Sequence, residues 1–170
     1  MRFAEKNSRA SPASARRANS AAMTDPRYLG ANSYERALLT TRVAQAEEID
    51  ELGHVNNARY VVWVQDAGVH HWMTVAAGPL AENHVWVCLR HEIDYRDPVF
   101  EGETVEVRTW LGRRDGAKFD RHVDIRKPGS ARFSVRAKTT WVFLDRATGR
   151  PRRVGDEVLA AFGLKAEELG

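Results

Sequence analysis

The chain has 170 residues, of which 43% are hydrophobic and 29% charged, and its formal net charge is +3. This length and composition are typical of one globular domain, and no apolar run reaches the roughly 18 residues of a membrane span. A single cysteine excludes an intrachain disulfide and a cysteine-cluster zinc site. The sequence pI of about 9.2 raises the question of nucleic-acid binding.

The excess positive charge is concentrated in residues 1–22, which contain five basic residues and one acidic residue. The other 148 residues have a net charge of −1, so we expect no nucleic-acid partner. The composition of this segment predicts disorder; a targeting segment, or residues upstream of a true start at Met23, are the alternatives. We therefore assign residues 1–33 to a disordered tail, residues 34–163 to one folded domain and residues 164–170 to a C-terminal tail.

The sequence of the first part of the domain predicts a strand, a turn and a long helix. Residues 36–46 read as a strand, residues 47–53 as a polar turn, and residues 57–77 as a helix that ends at Gly78-Pro79. Apolar residues lie on most faces of this helix, so it should be enclosed by protein rather than surrounded by water. A curved sheet would cover most of the helix and leave one face for a partner subunit.

After the helix, the period of the hydrophobic pattern changes to two. Strands are predicted at residues 85–95, 103–111, 119–126 and 133–143, and a short helix at residues 155–162. The short connections indicate an antiparallel meander with one buried face, and Cys88 in the first of these strands should be a buried thiol. The predicted fold class is α+β, with one long helix and about five strands.

The segment Asp50–Tyr60, DELGHVNNARY, joins the first strand to the long helix. Asp50 precedes the helix by less than two turns, Gly53 allows a tight turn or close approach to a ligand, and Asn56 or Asn57 can cap the helix. The unpaired N–H groups at a helix start favour negative charge. A carboxylate beside them offers a base or nucleophile together with donors for an oxyanion, although turn and capping roles alone explain the same residues.

The string Asp-x-x-Gly-His-Val-Asn-Asn-x-x-Tyr, after a strand and at the start of a long helix, resembles the hotdog-fold acyl-thioester hydrolases. This group includes 4-hydroxybenzoyl-CoA thioesterase and bacterial acyl-CoA thioesterases. The resemblance extends from about Arg36 to Phe162 and implies a hotdog fold, in which a curved sheet wraps a central helix. It also implies a homodimer or homotetramer with an active site at the subunit interface, an acyl-CoA or acyl-carrier-protein substrate, and no cofactor or metal.

The resemblance assigns roles to the residues of the motif. Asp50 takes the place of the catalytic aspartate, as nucleophile or as base for water, and the backbone N–H of Asn57 takes the place of the group that polarises the thioester carbonyl. His54 resembles a histidine that plant acyl-ACP thioesterases carry four residues after their aspartate. Those enzymes also have an asparagine where this chain has Leu52, so this chain departs from the plant catalytic network at that position. His54 is nevertheless predicted as a catalytic residue together with Asp50 and Asn57. Tyr60 resembles a tyrosine packed at the first turn of the helix.

Four residues complete the predicted site as substrate-contacting positions: Gly53, Asn56, Tyr60 and Asp66. Asp66 is nine residues beyond Asn57, which is about 13 Å along the helix, so it would have to approach another Asp50 across a dimer interface. A structural polar contact is the alternative for this acid.

The sequence thus predicts a cytoplasmic acyl-CoA thioesterase, since one cysteine suits a reducing compartment and no secretory signal is present. A hotdog hydratase or dehydratase is the first alternative. Those enzymes resemble one another in an aspartate and a histidine five residues apart, whereas Asp50 and His54 are four apart. A non-catalytic acyl-CoA-binding module is the second alternative.

Overall fold

The computed structural model describes residues 26–169. The disorder predicted for residues 1–22, and the alternatives of a targeting segment or a true start at Met23, therefore concern residues outside those that the structure describes. In chain order the strands and α-helices are β1 (Leu38–Val43), α1 (Asn57–Val75), α2 (Pro79–Asn83), β2 (His84–Tyr95), β3 (Thr104–Asp115), β4 (Lys118–Arg126), β5 (Val135–Asp145) and α3 (Asp156–Ala161).

The five strands form one antiparallel sheet in the order β1-β3-β4-β5-β2, with α1 packed across it. This arrangement confirms the predicted α+β hotdog fold. The predicted meander is correct for β3, β4 and β5 but wrong for β2, which pairs with β5 at the far edge of the sheet. Residues 96–103 make this crossing possible. Eight extended residues can span about 26 Å, and three strand spacings are about 14 Å.

The long helix ends earlier than predicted. Val75 is its last residue, and the following Ala76 closes the helix by donating its N–H to the carbonyl of Trp72. Gly78 has a φ of +54°, and Pro79 is the first residue of the short helix α2. The Gly-Pro pair therefore starts a second helix instead of ending the first, as expected for a proline at the first helical position.

Two groups of buried side chains divide α1 into halves. Its first half supplies Tyr60, Trp63 and Val64 to a largely aliphatic cluster with the sheet. Its second half supplies Trp72 and Val75 to a cluster rich in aromatic rings. The predicted alternation on β3 is confirmed, because Val105, Val107, Thr109 and Leu111 are all buried.

One side of the helix and the neighbouring edge strand remain uncovered in this single chain. On α1 the exposed fractions are 43% for Val62, 46% for Val69 and 66% for Met73. On β2, Val87 and Leu89 are 48% and 60% exposed. Cys88 is only partly buried, so its prediction as a core thiol is wrong, because β2 is an edge strand.

The chain segments that precede β1 and follow β5 pack against the domain. Residues 26–33, which the sequence assigned to the tail, include the fully buried Ala31, whose carbonyl accepts a hydrogen bond from the N–H of Leu111. At the other end, α3 confirms the predicted closing helix, and Leu164 beyond it is buried. None of the helices formed by residues 26–169 has the length and apolar character of a membrane span.

Candidate active site

The loop between β1 and α1 is closed on itself by main-chain hydrogen bonds. The N–H of Asp50 donates to the carbonyl of His54, and the N–H of Gly53 donates to the carbonyl of Asp50, both at 3.0 Å. Gly53 has a φ of +81°, a conformation that side-chain-bearing residues rarely adopt. This glycine therefore permits the tight turn that brings Asp50 back to the start of the helix.

The carboxylate of Asp50 is held by its own loop. One oxygen, Oδ1, accepts the N–H of Leu52 at 3.0 Å, and Oδ2 accepts the side-chain amide of Asn56 at 3.4 Å. The His54 Nδ1 atom lies 3.8 Å from Asp50 Oδ1 and 3.3 Å from the carbonyl oxygen of Val55. The side chain of Asp50 is 13% exposed, so one predicted catalytic group is fixed in orientation and still reaches solvent.

The helix start presents one unpaired backbone donor close to this carboxylate. Asn56 is the N-cap, and its Oδ1 accepts the N–H of Ala58 at 2.8 Å. Asn57 is the first helical residue, and its N–H has no hydrogen-bond partner among residues 26–169. A free N–H at the positive end of a 19-residue helix is suited to bind a developing negative charge.

The structure thus brings together Asp50, Gly53, His54, Asn56 and Asn57. Asp66 is not part of this group: it is 53% exposed and its Oδ2 lies 3.2 Å from Nη1 of Arg42. Within a single chain, Asp66 therefore makes a structural polar contact, which was the alternative prediction for this acid. No group of three or more His, Cys, Asp or Glu side chains in residues 26–169 is placed to hold a metal ion.

Tyr60 lies behind the site and is 3% exposed. Burial raises the pKa of Tyr60 to about 12, so its phenol stays neutral at physiological pH. Its ring makes an edge contact with Tyr95, whose hydroxyl donates to the carbonyl of Asn57 at 3.2 Å. Sequence reasoning missed Tyr95, because only the unexpected position of β2 brings the end of that strand to the helix start.

Glu48 is a second residue that sequence reasoning missed, because it was read as part of a polar turn. It is 6% exposed and accepts hydrogen bonds from Gln45 N, Trp63 Nε1 and Arg42 Nη2 at 2.8–3.0 Å. Burial alone would raise the pKa of Glu48, but these hydrogen bonds outweigh it and hold the pKa below its ordinary value. The carbonyl of Glu48 accepts the N–H of Asn56, so the buried Glu48 is hydrogen-bonded directly to the residue that caps α1.

Comparison with known proteins identifies the family of this chain. The thioesterase-like superfamily matches residues 44–162, which include the loop, the helix and the sheet from β2 to β5. No curated protein sequence matches significantly.

Solved structures of thioesterases superpose on most of the chain. The dynemicin thioesterase is 25% identical, with a TM-score of 0.66 over 74% of this chain and 94% of that one. A 1,4-dihydroxy-2-naphthoyl-CoA thioesterase from Synechocystis is 15% identical, with a TM-score of 0.64 over 73% and 93% of the two chains. The probable thioesterase YbaW from Escherichia coli is 21% identical, with a TM-score of 0.64 over 74% and 96%. The chain therefore belongs to the thioesterase-like superfamily and is a hotdog-fold thioester hydrolase.

Proposed function

We propose that this enzyme hydrolyses an acyl-CoA thioester at the start of α1, with Asp50 as the catalytic carboxylate. The observation that carries the proposal is the pairing of a fixed, solvent-reachable carboxylate with the free N–H of Asn57. Hydrolysis of a thioester needs both groups. One delivers or activates the nucleophile, and the other stabilises the negative charge on the carbonyl oxygen in the transition state.

In this mechanism the thioester oxygen accepts the N–H of Asn57, which polarises the carbonyl. Asp50 then acts in one of two ways. As a base, it takes a proton from water while the water oxygen bonds to the acyl carbon. The carbon–sulfur bond of this adduct then breaks, and the protonated Asp50 returns the proton to the leaving CoA thiolate. As a nucleophile, its carboxylate oxygen bonds to the acyl carbon, the CoA thiolate leaves, and water hydrolyses the resulting anhydride and restores the carboxylate. Both routes give a carboxylic acid and free CoA.

The hydrogen bonds to the Asp50 carboxylate support its proposed catalytic role. The N–H of Leu52 occupies Oδ1 at 3.0 Å, while the longer contact from Asn56 leaves Oδ2 less tightly bound. His54 lies beside Oδ1 and offers a positioning partner for the carboxylate. In this proposal Gly53 and Asn56 line the substrate's path, and the Asn56 amide also positions Asp50. The buried Tyr60 supports the helix start from behind.

The assembly proposed with this function is a homodimer or a dimer of dimers. The exposed apolar residues of α1 and the unpaired edge of β2 support this assembly. Burying these residues against a second copy would remove apolar surface from water and would pair an open strand edge. A cytoplasmic location accompanies the proposal, since one cysteine suits a reducing compartment.

A panel of acyl-CoA thioesters tests the reaction class. Release of free thiol from at least one substrate, at a rate proportional to enzyme, is the expected result. Hydration of crotonyl-CoA without thiol release would instead identify a hydratase, and saturable acyl-CoA binding without any product would identify a binding module. Mass spectrometry of rapidly quenched enzyme separates the two routes, because only the nucleophilic route adds the acyl mass to Asp50.

A further inference from the structure

A cavity of about 820 Å³ lies between the second half of α1 and the sheet. This volume is within the range of small-molecule binding sites. Its walls are largely apolar, and five aromatic side chains contribute to them: Trp72, Trp86, Phe119, Trp141 and Phe162. Neither the proposed catalytic loop nor the first residues of α1 line this cavity.

One cationic side chain lies inside this apolar wall. Arg121 lines the cavity and is only 5% exposed. Gly68 of α1 makes room for it, since a methyl group at that glycine would approach Arg121 Cδ to 3.2 Å. The glycine in the middle of a helix therefore has a specific role, which is to let the guanidinium pass beside the helix.

The charge of Arg121 has no anionic partner within the described chain. Its Nη1 donates to His71 Nδ1 at 3.1 Å and to Thr109 Oγ1 at 3.0 Å, and both acceptors are neutral. Its Nε and Nη2 atoms have no hydrogen-bond partner in residues 26–169, and no carboxylate oxygen there lies within 4.0 Å. The acceptor role of Nδ1 fixes the tautomer of His71, whose Nε2–H donates to the carbonyl of Tyr28 at 2.7 Å.

This arginine nevertheless stays charged. Burial lowers the pKa of Arg121 to about 10, which is still well above physiological pH. A buried charge without a counter-ion is costly, and proteins almost always pair such groups. A second donor in the same wall is also unused, because the buried Nε1 of Trp86 has no hydrogen-bond partner. The remaining charged residues of the lining, Glu82 and Arg146, are exposed.

We propose that this cavity binds the far end of the substrate's acyl group, and that this end carries a carboxylate which pairs with Arg121. The proposal rests on the proposed acyl-CoA hydrolysis and names its substrate class, which is ω-carboxyacyl-CoA, the CoA monothioester of a dicarboxylic acid. The aromatic walls accommodate the methylene chain, and the free N–H groups of Arg121 supply a donor fork that fits a carboxylate.

The position of the cavity sets the length of the acyl group. Gly68, beside Arg121, is eleven residues beyond Asn57, which is about 16 Å along the helix axis and calls for a chain of about a dozen carbons. A thioester carbonyl at Asn57 and a carboxylate at Arg121 of the same chain therefore require a long diacid. A shorter optimal acyl chain would indicate that the thioester binds at the helix start of the partner subunit, nearer to the cavity. That result would still support a carboxylate bound at Arg121.

The test compares pairs of substrates that differ only at the far end. The kcat/KM of the wild-type enzyme is measured for adipoyl-, suberoyl-, sebacoyl-, dodecanedioyl- and tetradecanedioyl-CoA. Each value is compared with that for the methyl-ended acyl-CoA of equal carbon number. We expect the carboxylate-ended member to be preferred at one length. A preference for the methyl-ended member at every length would overturn the proposal and leave thioester hydrolysis intact.

Variants assign this preference to the arginine. Arg121→Met should lower the ratio of the two kcat/KM values at least about tenfold, as expected when a buried donor to a charged group is removed. The matched control is Arg113→Met on the exposed hairpin, which should leave the ratio unchanged. Because a ratio does not depend on the amount of folded enzyme, a destabilised variant still gives a result. An unchanged ratio in Arg121→Met would overturn the proposal.

Two further measurements cover the remaining outcomes. If Arg121→Met does not fold, Arg121→Lys keeps a charge with different geometry, and Trp86→Phe removes the indole N–H but keeps a ring; both should lower the ratio. If the wild-type enzyme releases thiol from no substrate, the proposed function fails, and calorimetry with the intact dodecanedioyl-CoA and dodecanoyl-CoA then tests the cavity alone. Tighter binding of the carboxylate-ended thioester supports the Arg121 site, and equal binding contradicts it.

Discussion

The two halves of α1 differ in how their polar groups are satisfied. At its start, short-range contacts within one loop hold Asp50 and Asn56, and the free donor is a backbone N–H. In its second half, the polar groups come from distant strands, and the free donors are the side chains of Arg121 and Trp86. One half is a small polar site near solvent, and the other is an aromatic cavity with a buried charge.

This difference predicts different functions for the two halves of α1. Backbone donors at a helix start act on any thioester, because they contact the carbonyl group that all thioesters share. A buried guanidinium can discriminate strongly, because a substrate without a matching anion leaves it unpaired. Changes at the start of the helix should therefore alter the rate for all substrates, and changes around Arg121 should alter the choice among them.

The largest effect is expected from Asp50→Asn, which keeps the shape of the side chain and removes its basicity and nucleophilicity. The kcat should fall at least about 10²-fold for every acyl-CoA that the wild type hydrolyses. Asp115→Asn is the matched control, because it makes the same change in the exposed β3–β4 turn, where Asn-Gly is as favourable as Asp-Gly. Steady-state thiol release measures both variants, and equal activity of Asp50→Asn and wild type would contradict the assignment.

A backbone donor can be removed at the first helical position without breaking the helix. Asn57→Pro lacks the N–H, proline is favoured at this position, and the ψ of 138° at Asn56 suits a residue before proline. We expect the kcat to fall about 10²–10³-fold with little change in stability. Asn57→Ala keeps the N–H and should stay close to wild type in activity. If the alanine and proline variants have equal kcat values, the oxyanion role of this N–H is wrong.

The buried His71 predicts a pH dependence of stability in the second half of the helix. Burial, together with the charge of Arg121, lowers the pKa of His71 from 6.5 to about 3. Between these two values the unfolded chain binds one more proton than the folded chain, so stability falls as pH falls, by about 1.4 kcal/mol per pH unit. His71→Gln should reduce this slope by that amount, as measured by urea unfolding between pH 6 and 4. Equal slopes for the two proteins would contradict the buried neutral histidine.

The smallest effect is expected at the helix cap. Asn56→Ala removes the cap to Ala58 and should lower the free energy of unfolding by about 1 kcal/mol, whereas Asn56→Ser should lose only a few tenths because serine also caps well. Both variants lose the contact with Asp50 and should reduce kcat by a similar factor. Urea unfolding and kinetics on the pair separate capping from positioning. A serine variant with wild-type kcat would show that the Asn56 amide does not position Asp50.

The sequence predicted the start of the helix well because the residues that build it are contiguous. Asp50, Gly53 and Asn56 interact within seven positions, so turn and capping preferences alone specify their arrangement. The same locality explains the confirmed strands and closing helix. Glu48 was missed because its partner Trp63 is fifteen residues away, although its spacing from Gln45 is that of a side chain that reaches back to a helix start.

The second half of the helix was less predictable because its contacts are long-range. Arg121 occupies an inward position in the alternation of β4, between Phe119 and Val123. Because a charged residue interrupts the hydrophobic pattern at this position, the pattern alone does not indicate that Arg121 is buried. Its partner His71 is fifty residues away. The pairing of β2 with β5 was hidden for the same reason, since neither strand's pattern specifies its neighbour.

The most direct test measures kcat/KM for dodecanedioyl-CoA and dodecanoyl-CoA with the wild type, Asp50→Asn and Arg121→Met under the same conditions. Our account predicts that Asp50→Asn lowers both values by the same factor, at least about 10²-fold, and that Arg121→Met lowers mainly the value for the carboxylate-ended substrate. Full activity of Asp50→Asn on either substrate would contradict the central claim that the thioester is cleaved at the start of α1.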